Sequence, residues 1–140
     1  MTSEPYDLER FTAAQRDTYE DATAELRRGR KTSHWMWFMF PQIAGLGYSE
    51  TSRRYAITSA DEARAYLAHP VLGRRLVECA SILTGQSGRS AEQIFGGIDA
   101  QKLRSSMTLF LRADPDQQVF AQVLDQYYGG LADPATDERL

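Results

Sequence analysis

Apolar residues recur at every third or fourth position along most of this chain, the spacing that places them on one face of an α-helix. In the first segment the pattern runs through Leu8, Phe11 and Leu26, with many charged residues between them. We predict one helix here, capped at its start by Asp7 and ended by Gly29. No segment shows the clean two-residue alternation of a half-buried strand. The chain is therefore predicted to be all-α.

Capping residues, prolines and glycines divide the rest of the chain into further helices. The predicted starts are capping boxes at residues 59–62 and 90–93, an N-cap at Asp99, and the Asp-Pro pairs at 114–115 and 133–134. The predicted ends are Pro70, Gly85, Gly96 and Gly129. These signals predict a single compact domain over residues 1–140 with about six helices. An irregular, aromatic-rich segment lies between the first helix and the second.

The composition is that of an ordinary globular domain. Of the 140 residues, 42% are hydrophobic and 25% are charged. No apolar run approaches the roughly 18 residues that a membrane-spanning helix needs, and the N-terminus does not resemble a secretory signal. We therefore expect no membrane partner and a cytoplasmic location. The net charge of -3 argues against nucleic acid as a partner.

Metal and cofactor sites lack their usual sequence signals. The chain has one cysteine, Cys79, and two histidines, His34 and His69. A zinc or copper site would need carboxylates at spacings that do not occur. Cys79 lies among apolar residues and is interpreted as a packed thiol, and His69 as a structural residue at a helix junction. Since the glycine-rich loops that bind phosphates or dinucleotides are also missing, we predict no metal and no cofactor.

Residues 30–48 differ from the rest of the chain. They contain both tryptophans, Trp35 and Trp37, which lie between a basic cluster and a stretch with two glycines. In one interpretation these rings fill the core of a helical bundle. In the other, Lys31 and Gln42 place polar groups beside flat rings, and the segment lines a small-ligand pocket in which the tryptophans stack on the ligand.

His34 lies in the same segment and is the one histidine near this candidate pocket. Because imidazole titrates near neutral pH, His34 is a candidate catalytic residue that carries a proton in a hydrolytic reaction. The alternative is a structural role, as a helix cap or in a hydrogen bond to a buried carbonyl.

Two places outside this segment carry further candidate ligand-binding residues. If the chain near residue 102 is helical, Lys102, Ser105 and Ser106 lie about one turn apart and offer a cation beside hydroxyl groups. The cluster of Arg53, Arg54 and Tyr55 offers paired guanidinium groups, which could bind phosphate or carboxylate, beside an aromatic ring. The alternative for both places is a solvated helix face.

Several longer motifs connect nearly the whole chain with one protein family. They are DLERF at 7–11, GRKTSHWMWFMFPQIAGLG at 29–47, RYAI at 54–57, EARAYLAHPVLGRRLVEC at 62–79, IFGGIDAQKLRSSMTLF at 94–110 and YYGG at 127–130. Through them the chain resembles the bacterial family of unknown function numbered eighteen-ten, often labelled calpastatin-like. The resemblance implies a mainly helical single domain and supplies no established activity.

Three functional hypotheses follow from the sequence. The first is a binding pocket for a nucleotide, a sugar or a phosphorylated metabolite, with hydrolysis as the reaction if the protein is an enzyme. The second is a protein-interaction module that uses the aromatic segment as an anchor patch. The third is single-stranded RNA binding by the basic and aromatic run at 27–37, which the acidic net charge disfavours.

Overall fold

The computed structural model describes residues 6–140, and within them it contains ten helices joined by turns and loops. Their bounds are α1 Glu9–Gln15, α2 Tyr19–Arg28, α3 Met36–Met39, α4 Glu50–Arg54, α5 Ala60–Ala68, α6 Leu72–Thr84, α7 Ala91–Phe95, α8 Gly97–Ala113, α9 Gln118–Tyr128 and α10 Pro134–Asp137. Six of these helices have seven residues or more. In the described part, extended backbone pairs only in a single bridge between Ile43 and Ile57. The predicted all-α fold is confirmed.

Helix α8 organises the core. Leu103, Met107 and Phe110 lie on one face of this helix and are fully buried. Helices α5, α7, α9 and α10 pack against it. One continuous cluster of buried apolar side chains runs through the described residues. Because burying each such side chain contributes about 1.5–3 kcal/mol, the apolar face of α8 is a major source of stability.

The predicted first helix is two helices in the structure. Helix α1 ends at Gln15 and α2 begins at Tyr19. The side-chain amide of buried Gln15 donates to the carbonyl oxygen of Phe38 at 2.7 Å and to the hydroxyl of Tyr66 at 3.1 Å. These contacts with distant parts of the chain hold the turn between the helices, and periodicity does not reveal them. The predicted end at Gly29 is confirmed, since this residue adopts a left-handed φ of 75°.

The predicted capping boxes differ in completeness. The box at residues 90–93 is complete. The other box is only half formed. The hydroxyl of Ser59 accepts the backbone N–H of Glu62 at 3.1 Å, but the Glu62 carboxylate accepts from Thr58 and Arg10 instead of returning to the backbone of Ser59.

Three predicted N-caps are wrong. Helix α1 begins at Glu9 with Leu8 at its N-cap and no side-chain cap, so Asp7 does not cap it. Helix α8 begins at Gly97, so Asp99 lies inside its first turn, where the carboxylate binds Lys31 at 2.8 Å. Helix α9 begins at Gln118 and not at the preceding proline, because residues 114–117 first close a turn. The last helix, α10, begins at its predicted proline.

Cys79 and His69 have the structural positions that the sequence predicted. Cys79 is buried, and this burial raises the pKa of its thiol to about 12. His69 Nδ1 accepts the backbone N–H groups of Val71 and Leu72 at 3.1 and 3.2 Å. Each helix in residues 6–140 is too short or too polar to pass through a bilayer.

Candidate functional site

The aromatic segment contributes Trp35 to the core. This residue is fully buried, and its Nε1 donates to Glu25 Oε1 at 3.0 Å. The same oxygen accepts the backbone N–H groups of Thr32 and Ser33 at 2.7 and 2.8 Å. Burial alone would raise the pKa of Glu25, but the hydrogen bonds outweigh it and lower the pKa to about 2. The predicted stacking of Trp35 on a ligand is wrong, because the ring is enclosed in the core.

Trp37 has different surroundings and is only partly buried. The Lys102 ammonium lies 4.7 Å from the centroid of the Trp37 ring, within the range of a cation–π contact. Lys102 also lies 3.5 Å from one oxygen of Asp99, whose other oxygen binds Lys31 at 2.8 Å. The indole Nε1 of Trp37 is buried and has no hydrogen-bond partner among the described residues. An unsatisfied donor therefore lies next to a charged cluster.

A cavity of two adjoining chambers lies beside Trp37. The inner chamber has a volume of about 130 Å³, and its walls include Trp37, Gln42, Ser52, Arg53 and Tyr55. The outer chamber has a volume of about 410 Å³, and its walls include Leu46, Ile98, Lys102, Ser105 and Asp133. Gln42, Gly47 and Ser52 line both chambers, so the two spaces adjoin.

Gly47 allows the loop after α3 to approach α4 closely. A Cβ atom at this position would lie 2.6 Å from both Cβ and Oγ of Ser52, closer than side chains tolerate. The loop and the helix together form the wall that the chambers share. A larger residue at position 47 would push the two elements apart.

A buried network of hydroxyls and a carboxylate borders the outer chamber. Ser105 Oγ and Thr136 Oγ1 both lie 2.7 Å from Asp133 Oδ2, and both donate to it. The backbone N–H of Asp133 donates to Thr108 Oγ1 at 2.8 Å. The network joins α8 to the start of α10, and it occupies the hydroxyl proton of Ser105.

His34 lies in a separate surface groove, whose walls also include Lys31, Trp37 and Asp99. Its side chain is exposed, and its imidazole forms no hydrogen bond within residues 6–140. The structural role considered for His34, a cap or a bond to a buried carbonyl, is therefore wrong. Trp37 lines both this groove and the inner chamber. His34 and Lys102 thus lie on walls of different spaces, the groove and the outer chamber, which share Ile98.

The structure brings some of the predicted site residues together and separates others. Those that line the chambers are Trp37, Gln42, Tyr55, Lys102 and Ser105. Arg54 is exposed and lines a different groove with Arg10 and Glu62. Ser106 is fully buried on the core side of α8, so it reaches neither chamber. The predicted roles of Arg54 and Ser106 in this site are therefore wrong.

Several polar and apolar residues of the chamber walls had no predicted binding role, among them Ser52, Ile98 and Asp133. Of the predicted arginine pair, Arg53 lines the inner chamber and Arg54 does not, which depends on the rotation of α4. Asp133 had a sequence signal only as the start of a helix. Within residues 6–140, no three His, Cys, Asp or Glu side chains are grouped as metal ligands would be.

Comparisons with known proteins address the family and the fold. The family model described as protein of unknown function (DUF1810) matches residues 5–140. The chain belongs to this family. A solved structure, that of the conserved hypothetical protein Rv1873 from Mycobacterium tuberculosis, has 51% sequence identity and a TM-score of 0.96, with 98% of each chain covered. Among curated proteins, no significant match exists. Neither the DUF1810 description nor the name of this relative states an activity.

Proposed function

We propose that this DUF1810 protein binds a small molecule in the inner and outer chambers. Their volumes of about 130 and 410 Å³ together fall within the roughly 300–1,000 Å³ of typical small-molecule sites. Ile43 and Ile98 offer apolar surface to a ligand, and Gln42 and Ser52 offer hydrogen-bonding groups. This mixture of apolar walls and a few polar groups is typical of ligand sites.

The observation that carries the proposal is the unsatisfied indole N–H of Trp37. A buried donor without a hydrogen-bond partner lowers the stability of the fold by about 1–3 kcal/mol. Roughly nine in ten buried polar groups have a hydrogen-bond partner. Trp35 follows that rule through its bond to Glu25, whereas Trp37 Nε1 has no partner among the described residues. An acceptor atom of a ligand in the inner chamber would satisfy this donor.

The candidate ligands are nucleotides, sugars and phosphorylated metabolites, all of which carry oxygen acceptors. Lys102 already lies 4.7 Å from the centre of the Trp37 ring. A flat ligand group that stacks on this ring would therefore use its other face or displace the lysine. The amide of Gln42 and the hydroxyl of Ser52, which line both chambers, would orient the polar atoms of the ligand.

A thermal-shift screen tests the proposal. Wild-type protein and the Trp37→Phe variant are screened against nucleotides, sugar phosphates and simple sugars. We expect a ligand that raises the melting temperature of the wild type in a saturable way, because a ligand that binds the native state stabilises it. The variant keeps an aromatic ring but has no N–H, and we expect it to bind at least about tenfold more weakly.

Ser106→Ala is the matched control. It removes another buried polar atom without a partner in the described part of the chain, but one that lies outside both chambers. It should retain the affinity of the wild type. A ligand that binds Trp37→Phe as tightly as the wild type would contradict the proposed site, and so would a panel without any saturable ligand.

A protein-interaction module is the second candidate, and it has an observation in its favour. Tyr48 and Ile98 are 83% and 78% exposed, and Ile98 lies on the wall of the outer chamber. A silent ligand panel together with concentration-dependent sedimentation would favour this function. Hydrolysis with His34 as proton carrier and a cytoplasmic location stay predictions from the sequence.

A further inference from the structure

We infer that the ligand is a small organic acid whose anionic group occupies the inner chamber, against Trp37 Nε1 and the Arg53 guanidinium. This inference rests on the proposed ligand-binding function. It replaces the broad set of nucleotides, sugars and metabolites with one chemical class. A neutral sugar has no anionic group and is therefore excluded from this class.

The charge on the walls of the inner chamber is the first argument. Arg53 is the charged residue on those walls, and no carboxylate accompanies it. No Asp or Glu within residues 6–140 lies within ion-pair distance of its guanidinium. Arg53, which also lines the groove of Arg54 and Glu62, and Trp37, whose N–H donor is unsatisfied, therefore share the walls of the inner chamber, and a single anionic group there would bind both of them.

The outer chamber has one cation and one carboxylate on its walls. Its walls contain one carboxylate, Asp133, which is 4% exposed. One oxygen of this carboxylate already accepts from Ser105 and Thr136. Lys102 is the cation on these walls, and it also lies 3.5 Å from an oxygen of Asp99. The excess of positive charge therefore lies on the walls of the inner chamber, and in the outer chamber one oxygen of the carboxylate is already occupied by hydroxyl donors.

The apolar residues on the chamber walls indicate the chemistry of the rest of the ligand. Ile43 lines the inner chamber, and Leu46 and Ile98 line the outer one. An acid with a compact apolar or aromatic body fits this pattern. The acid group is a carboxylate or a phosphate monoester, since both bind guanidinium and N–H donors through charged oxygens.

The test uses the indole N–H signals of the two tryptophans in a ¹H–¹⁵N correlation spectrum. The probes are benzoate and phenyl phosphate, compared with the neutral benzamide and phenol. We expect both signals in the wild type, assigned through Trp37→Phe. The Trp37 signal should move and saturate with an acid, at an affinity about tenfold or more above that of the neutral compound of the same shape. The Trp35 signal is the internal reference, because Glu25 already occupies that N–H.

Arg53→Gln should weaken acid binding about tenfold, because it removes the charge on the chamber wall. Arg54→Gln is the matched control: it makes the same change at the next position, and both arginines line the groove beside Glu62, but only Arg53 also lines the inner chamber. Its affinity should equal that of the wild type. A response to benzoate alone or to phenyl phosphate alone distinguishes a carboxylate ligand from a phosphate ester, and either response supports the inference.

Two results would overturn the inference. If the neutral compounds move the Trp37 signal as effectively as the acids, the ligand is not an acid, but the proposed pocket stands. If no probe moves this signal, or if Arg53→Gln and Arg54→Gln bind acids equally well, the anionic site is wrong. The thermal-shift comparison of wild type and Trp37→Phe then tests independently whether the chambers bind a small molecule.

Discussion

Trp35 and Trp37 lie two positions apart in one segment, yet their indole N–H groups have different surroundings. The Trp35 N–H donates to a buried carboxylate, and the Trp37 N–H has no partner in the described residues. Trp35 is the N-cap of α3 and is fully buried, whereas Trp37 lies inside this helix and is only partly buried. A sequence with two tryptophans in one aromatic run does not distinguish these roles.

Glu25 provides a prediction at the scale of one residue. Its carboxylate accepts three hydrogen bonds, from Thr32, Ser33 and Trp35. We expect Glu25→Gln to lower the free energy of unfolding by about 2 kcal/mol at pH 7, because the charge-assisted bonds are lost. Urea denaturation measures the change.

The same residue predicts a pH dependence. The folded-state pKa of Glu25, about 2, lies below its ordinary value of 4.5. Its stabilising effect is therefore present in full above pH 4.5 and is lost as the pH falls toward 2. In Glu25→Gln this part of the acid destabilisation should be missing, whereas Glu20→Gln, an exposed carboxylate on the same helix, should behave as the wild type. Parallel stability curves for wild type and Glu25→Gln between pH 2 and pH 4.5 would contradict the assignment.

At the scale of the elements, α5 and α6 approach each other closely at Gly73. A Cβ atom on this glycine would lie 2.0 Å from the carbonyl oxygen of Leu67. Since that oxygen belongs to the backbone, a side-chain movement does not relieve the clash. We expect Gly73→Ala to cost about 2–3 kcal/mol of unfolding free energy, measured by urea denaturation.

Gly97→Ala is the control for this prediction. Gly97 begins α8, and a Cβ atom there would meet no atom within 4 Å. Alanine also restricts the unfolded chain and favours the helix, so the variant should match the wild type or exceed it by about 0.4–1 kcal/mol. If the two glycine variants had the same denaturation midpoint, the close approach of α5 and α6 would not restrict which residue position 73 can hold.

Helix ends show how far local signals reach. The capping box at residues 90–93 and the left-handed Gly29 match their predictions, because such signals act within one turn. The break between α1 and α2 was missed, because it depends on the bond from Gln15 to Phe38, which lies 23 positions away. Asp99 was misassigned as a cap for a similar reason, since its partner is Lys31.

For the molecule as a whole, Arg10 connects three separate parts of the chain. It lies on α1 and donates to Glu62 of α5 and to the carbonyl oxygens of Arg54 and Ala56, each at 2.8–2.9 Å. The Arg10 and Glu62 side chains are 13% and 1% exposed. We expect Arg10→Met to lower the free energy of unfolding by about 3 kcal/mol, because the Glu62 carboxylate would stay buried without its cation.

Arg112→Met serves as the comparison, measured in the same urea titration. Arg112 forms an ion pair with Asp137 at 2.8 Å, but the two side chains are 45% and 40% exposed. Exposed pairs contribute only about 0–1 kcal/mol, so this variant should be close to the wild type. Equal losses in the two variants would mean that the burial of the Arg10 pair has no energetic effect.

The sequence alone determined the properties that depend on short stretches of chain. These are the all-α class, most helix ends and the apolar face of α8 with Leu103, Met107 and Phe110. The physical reason is that helical spacing, caps and breakers act over a few residues. The aromatic segment was also recognised as unusual, and Trp37, Gln42 and Lys102, which the sequence singled out, lie on walls of the two chambers.

Only the tertiary structure decided which side chains share the cavity. Its walls combine the loop at residues 42–47 with parts of α4 and α8 and with Asp133, which are distant in sequence. The direction of each side chain depends on how its helix is rotated and packed. With a rotation of 100° per residue, Arg53 lines both the inner chamber and the groove of Arg54, whereas Arg54 lines that groove and neither chamber. The same rotation places Ser105 beside the outer chamber while Ser106 is buried in the core. Such rotations depend on long-range packing, which a linear pattern does not contain.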